Sequence, residues 1–169
     1  LEKNPIEAIK HLKKGLDKIK NKENYPNQYQ SLIGNYSECQ YDLGNEEIAW
    51  KGFKELMLFR EKIKNDYGLS LSHNGFAYYY NLEEKPAKAL HHARKGYELA
   101  KKVNNNFTIL SALTKLTNLT SGKESKKYFN EYVALSDSLN NHERYLKNQF
   151  AKVRYETEKK DKENEQLKI

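Results

Sequence analysis

At 169 residues the chain has the length of one ordinary domain, and 37% hydrophobic against 31% charged residues, with three prolines and eight glycines, is a polar, helix-favouring composition. A mean hydropathy of −1.00 and a net charge of +7, from 30 Lys and Arg against 23 Asp and Glu, exclude a single deep apolar core and spread the apolar residues over many amphipathic elements. The longest uncharged run, Tyr67 to Leu82, is too short and too polar to cross a bilayer, and the single Cys39 excludes an internal disulfide or a Cys-based zinc site.

The chain opens on Leu1-Glu2-Lys3-Asn4-Pro5, with neither an initiator Met nor an apolar signal region, which predicts a fragment or a processed form. A first helix is predicted over about 5–21, where Ala8, Leu12 and Gly15 recur at i, i+4, i+7, and a second over 27–42. Leu43-Gly44-Asn45 reads as a break, with Gly44 free to take the left-handed conformation and Asn45 able to cap a third helix over 45–65 ahead of Glu46 and Glu47. That helix repeats the spacing with Ala49, Phe53 and Leu56, and Asp66-Tyr67-Gly68 reads as its stop before a fourth helix over 69–82. Pro86 falls early in a fifth helix over 84–104 that carries Ala89, Ala93 and Gly96. Asn104-Asn105-Asn106 and Ser121-Gly122 punctuate helices over 107–119 and 122–139, the latter with Ser125, Phe129 and Tyr132. A final helix is predicted from about Asn141 onward, with a seam of Leu146, Phe150, Val153, Thr157, Lys160, Asn164 and Leu167. Its first half is expected to dock on the repeats and cap them, and its second, of mixed charge from Glu156 to Lys168, to be a solvated rod.

The anchors Ala8, Ala49, Ala89 and Ser125 lie 41, 40 and 36 residues apart, room for one antiparallel helix pair per unit. Small-x-x-x-large-x-x-small on the second helix of each pair, carried by Leu43-Gly44-Asn45 before Ala49 and Phe53 and by Ala89 with Gly96, resembles the tetratricopeptide repeat over about residues 5–139. The implied fold is all-α, a right-handed superhelix of antiparallel helical hairpins with a long C-terminal helix. Residues 1–140 would form about three and a half repeats of 36–41 residues, and residues 141–169 a capping and signalling linker helix. Residues 148–160 are also similar to the segment that follows the repeats, and precedes a transmembrane helix, in Bacteroidetes membrane-bound sensor histidine kinases and related repeat-containing regulators. The resemblance implies a non-catalytic scaffold for protein or peptide binding, the sensory region of a larger signal-transduction protein. It would sit on the periplasmic side of the inner membrane, and its last helix offers a surface for a homodimer. Two alternatives stay open: a cytoplasmic peptide-binding regulator of a transcription factor, and a nucleic-acid-binding helical repeat.

Searched for chemistry, the sequence has no Gly-rich phosphate loop, no G-x-S-x-G and no H-E-x-x-H, so neither catalysis nor a cofactor or metal is expected. His11, His73, His91, His92 and His142 are expected on solvated helix surfaces. The pI of about 9.2 raises nucleic acid, but the lysines are dispersed rather than gathered in a phosphate-tracking stripe, and no nucleic acid is expected as a partner. What remains is the concave face that the resemblance assigns to the first helix of each pair. On it the expected protein- or peptide-binding residues are Glu38, Tyr41, Asn74, Tyr78, Asn81, Thr114 and Asn118, flanked by Asp42, Leu82, Leu110 and Thr117. Tyrosine gives a rigid ring with a polar tip, and asparagine bonds a peptide N–H and C=O at once. Tyr78-Tyr79-Tyr80 covers almost a full turn, so at least one of these rings must pack between helices.

Overall fold

The computed structural model describes residues 4–166, with side chains as far as residue 160, and is all-α. Its helices are α1 (Pro5–Lys18), α2 (Pro26–Asp42), α3 (Glu46–Lys62), α4 (Asp66–Leu82), α5 (Pro86–Lys102), α6 (Asn106–Leu119) and α7 (Gly122–Gln166). The arrangement is one of repeated helical hairpins followed by a long C-terminal helix. From α2 to α6 the helices begin 20 residues apart, at residues 26, 46, 66, 86 and 106, and α2 to α5 are each 17 residues long.

This metre is set by one turn used four times. Gly44, Lys64, Glu84 and Asn104 each adopt positive φ, between 50° and 78°. In each turn that residue donates its N–H three residues back and the next residue donates five residues back, as Asn45 to Gln40, Asn65 to Arg60, Lys85 to Tyr80 and Asn105 to Ala100, at 2.8–3.1 Å. This double closure satisfies the carbonyls that a helix end leaves unpaired. The chain restarts at once. Asn65 and Asn105 accept from the N–H groups of Gly68 and Thr108, while Pro26 and Pro86 stand at first positions that need no N–H. The predicted stop at Asp66-Tyr67-Gly68 is therefore corrected: these residues form the first turn of α4, because Lys64 takes the left-handed position that the sequence reading reserved for glycine.

The chain divides into two compact units, Leu1–Ala112 and Leu113–Ile169. In the first, α1 packs on α2, α2 on α3, α3 on α4 and α4 on α5. Small residues sit where these helices meet: Ala49, Ala89, Ala93 and Ala100 are fully buried. A Cβ at Gly52 would collide with the Ser37 hydroxyl, and one at Gly96 would come within 2.8 Å of Asn74 Oδ1. Around these contacts Tyr29, Ile33, Leu56 and Phe59 form one apolar cluster with Leu16, Ile19, Tyr36 and Ile63 against it. Each fully buried side chain of this size contributes roughly 1.5–3 kcal/mol. The Tyr29 ring meets Phe59 edge-on at 4.8 Å, and its hydroxyl donates to Glu55 Oε1 at 2.6 Å.

In the second unit Leu113 and Leu116 are fully buried, and the Ser125 hydroxyl donates to the Thr117 carbonyl at 2.8 Å across the short link. Phe129, expected at an anchor-related position, is exposed. Two further expectations are corrected here. α7 runs unbroken through Leu139-Asn140-Asn141, where two asparagines cost only a few tenths of a kcal/mol each and neither Gly nor Pro is present to stop the helix. Its seam is not docked: Leu146, Phe150 and Val153 are 40%, 73% and 59% exposed. Pairs at i, i+4, Glu143 with Lys147 at 2.6 Å and Arg154 with Glu158 at 3.4 Å, support this surface instead. Leu167 and Lys168, and the side chains of Asp161 to Glu165, lie outside the described residues.

Candidate functional site

A groove of about 530 Å³ opens between α2 and α4, with α3 as its floor. α2 contributes Asn27, Gln30, Ser31, Gly34, Asn35 and Glu38 to one wall. α4 contributes Tyr67, Gly68, Leu71, Ser72, Gly75, Phe76 and Tyr79 to the other, and Phe53, Leu56 and Arg60 rise from α3. Wall residues at 27, 31, 35 and 38, and at 67, 71, 75 and 79, follow the three- and four-residue spacing of one helix face. Gly34 and Gly75 leave the middle open. A Cβ at Gly75 would meet nothing within 4 Å, so packing does not require this glycine.

One end of the groove is organised by Arg60. Its Nε donates to Gln30 Oε1 at 3.0 Å and its Nη1 to Ser72 Oγ at 2.8 Å. Gln30 Oε1 also accepts from Asn65 Nδ2 at 3.0 Å, while Gln30 Nε2 donates to the Pro26 carbonyl at 3.1 Å, which fixes the orientation of the amide. The guanidinium lies so close over Gly68 that a Cβ there would fall 2.9 Å from its Nε and 2.6 Å from Asn65 Nδ2. Burial pushes the Arg60 pKa below its ordinary value, only partly opposed by the Tyr67 phenol. Both hydrogen-bond partners are neutral, so the network orients the cation without compensating its charge.

The opposite end is aromatic and acidic. Tyr79 stacks on Phe53 with ring centres 4.7 Å apart, and Tyr41 leans on it at 4.4 Å. Burial, and then Glu38 and Asp42, push the Tyr79 phenol well above its usual range, so it stays a neutral hydrogen-bonding group. Burial likewise raises Tyr41, with Glu83 and Glu46 adding to it. Behind Tyr79, Trp50 stacks on Phe76 at 5.3 Å and on Tyr80 at 4.6 Å, and its indole N–H donates to Glu83 at 2.6 Å.

The expected site residues scatter about this groove. Glu38 lines it, and Tyr41 lies just past its aromatic end. Tyr78 and Asn81 are exposed outside the lining; of the three consecutive tyrosines, Tyr79 and Tyr80 are the ones that pack. Asn74, expected in the groove, is only 5% exposed and serves the fold: it donates to the Thr108 carbonyl at 3.3 Å and its Oδ1 has no hydrogen-bond partner. Thr114 and Asn118 are exposed residues of the second unit. The expected register on α4 was one residue out: 75 and 79 face the groove rather than 74 and 78, and each step along a helix turns the side chain by 100°. Arg60 was missed because it belongs to the floor helix; the paired mid-helix glycines, Gly34 and Gly75, were the legible signal.

The solvated-histidine expectation fails at one pair. His73 is buried, and its Nδ1 lies 2.8 Å from Nδ1 of the partly buried His92. One ring must donate and the other accept, so the neutral pair shares a single Nδ1 proton. Burial, with positive neighbours second, lowers both to about 4. Among the described residues no group of three or more His, Cys, Asp or Glu gathers to hold a metal ion.

No protein-family model matches the chain, and no curated protein sequence matches it.

Proposed function

We propose that the chain is a non-catalytic helical-repeat scaffold that binds a protein or peptide in the groove between α2 and α4. We further propose that it is the sensory or interaction region of a larger signal-transduction protein, of the histidine kinase type that residues 148–160 resemble. The observation that carries the binding reading is Gly75, a mid-helix glycine at the centre of an amide- and aromatic-lined groove, with open space where a side chain would stand. Glycine there lets a ligand approach the helix backbone closely. The uninterrupted α7, with Leu146, Phe150 and Val153 exposed along one seam, supports a pairing role for that helix.

The test is selection of displayed random dodecapeptides on the immobilised chain, followed by affinity measurement on Gly75→Leu. The substitution fills the groove without entering the core. Selected peptides should lose at least ten-fold in affinity, whereas unchanged affinity would place binding elsewhere and overturn the reading.

A further inference from the structure

We propose that the groove's occupant is an extended peptide segment carrying one internal acidic side chain, which inserts between α2 and α4 and pairs with Arg60. This rests on the peptide-binding reading above. Three observations carry it. The first is charge: the guanidinium is held by Gln30 and Ser72, both neutral, and among the described residues no carboxylate pairs with it. Two of its five N–H donors are used in those bonds, which leaves enough of the fork for a carboxylate.

The second is depth. Arg60 projects from α3, the floor, while the walls of α2 and α4 stand above it. A main chain running along the groove reaches the guanidinium by a side chain dipping down. A chain terminus would have to turn the backbone itself into the floor. This favours Asp or Glu within the segment over a free C-terminus.

The third is spacing. Leu56 lies one turn from Arg60 on α3, about 6 Å along the axis. Same-side residues of an extended chain are roughly 6.6 Å apart. The residue two positions from the acid therefore lands on Leu56, which lies 3.4 Å from where a Cβ at Gly34 would stand, in a lining that also includes Phe53, Phe76 and the open backbone at Gly75. Beyond it the groove ends at Glu38 and Tyr79, away from Arg60. The recognised pattern is acidic-x-apolar, with the acid at the Arg60 end.

The experiment uses pooled octapeptides, acetylated and amidated, with a fixed central Glu-x-Leu or Gln-x-Leu and no other charged residue. A third pool has no acidic side chain but a free C-terminal carboxylate. Binding to the whole chain is read by fluorescence anisotropy, with Arg60→Gln and Gly75→Leu as variants and helicity checked for both. The Glu pool should bind about ten-fold or more tighter than the Gln pool on the unaltered chain, and this preference should vanish in Arg60→Gln. Both pools should weaken on Gly75→Leu, which tests groove occupancy even if Arg60→Gln does not fold. Equal binding of the Glu and Gln pools, both sensitive to Gly75→Leu, would overturn the acidic specificity and leave the peptide groove standing. Preference for the free-carboxylate pool would overturn the internal-acid assignment. No binding by any pool, or binding indifferent to Gly75→Leu, would remove both readings.

Discussion

Lowering the pH should destabilise the first unit through His73 and His92 before carboxylate protonation contributes. In the unfolded chain each imidazole has the ordinary value of 6.5, whereas in the fold each is lowered to about 4, first by burial. The groups acting on the pair are one another, His91 and Lys95, all of which disfavour a further positive charge. Between the two values the unfolded chain binds protons that the fold refuses, so stability is complete above pH 6.5 and falls as the pH drops toward 4. For His73, 8% exposed, the loss by pH 5 is about 2 kcal/mol on the scale of 1.36 kcal/mol per pKa unit. His92 is more exposed and adds less, in the same direction. Glu55, held below its usual value first by the Lys22 hydrogen bond, loses its contribution at lower pH, so the window near pH 5 isolates the histidines. Urea unfolding near pH 7.5 and near pH 5 should show the unaltered chain losing about 2 kcal/mol more than His73→Gln/His92→Gln. An equal loss in both proteins would refute the paired-neutral description.

Three further outcomes follow from the packing and the turns. Ala89→Leu should cost roughly 1–3 kcal/mol, because Ala89 is fully buried; an unchanged melting midpoint would displace the register of α5. Lys64→Gly and Glu84→Gly should each stabilise by up to about 1 kcal/mol in denaturant unfolding, since both residues hold positive φ, while Asn104→Gly should gain less because asparagine tolerates this conformation. Sedimentation equilibrium should show self-association of the chain that Phe150→Glu abolishes, and a monomeric unaltered chain at high concentration would refute pairing through the α7 seam.

The hairpin order was legible because the second helix of each pair carries small residues at near-regular spacing, and burial of Ala49 and Ala89 follows directly from that pattern. Two features were hidden for different physical reasons. Lys64 and Glu84 occupy left-handed positions with no sequence mark, since the hydrogen bonds from Asn65 to Arg60 and from Lys85 to Tyr80 enforce the conformation against side-chain preference. The exposure of Leu146 and Phe150 could not be read from their spacing, because an apolar i, i+4 pair looks the same whether it meets its own core or a second chain. At the groove the residue types were anticipated, aromatic and amide, but the one-residue phase error on α4 exchanged the packing residue Asn74 for the lining residue Gly75.

That exchange bears on how a site can be told from a core. Gly52, Gly68 and Gly96 each have a neighbour that a Cβ would strike, so the fold explains them. Gly75 has none, yet in mid-helix it costs up to about 1 kcal/mol relative to alanine. Arg60 shows the same imbalance in charge: its burial disfavours the cation, and Gln30 and Ser72 orient it without neutralising it. Local choices that weaken the free fold and have no packing reason gather where a second molecule completes the interaction. Gly75 and Arg60 line the same groove, one offering bare backbone and the other an uncompensated cation. Under the proposed peptide-binding reading, a ligand that supplies both apolar bulk and a carboxylate removes both deficits in a single binding event, which would tie specificity to Gly75 and Arg60.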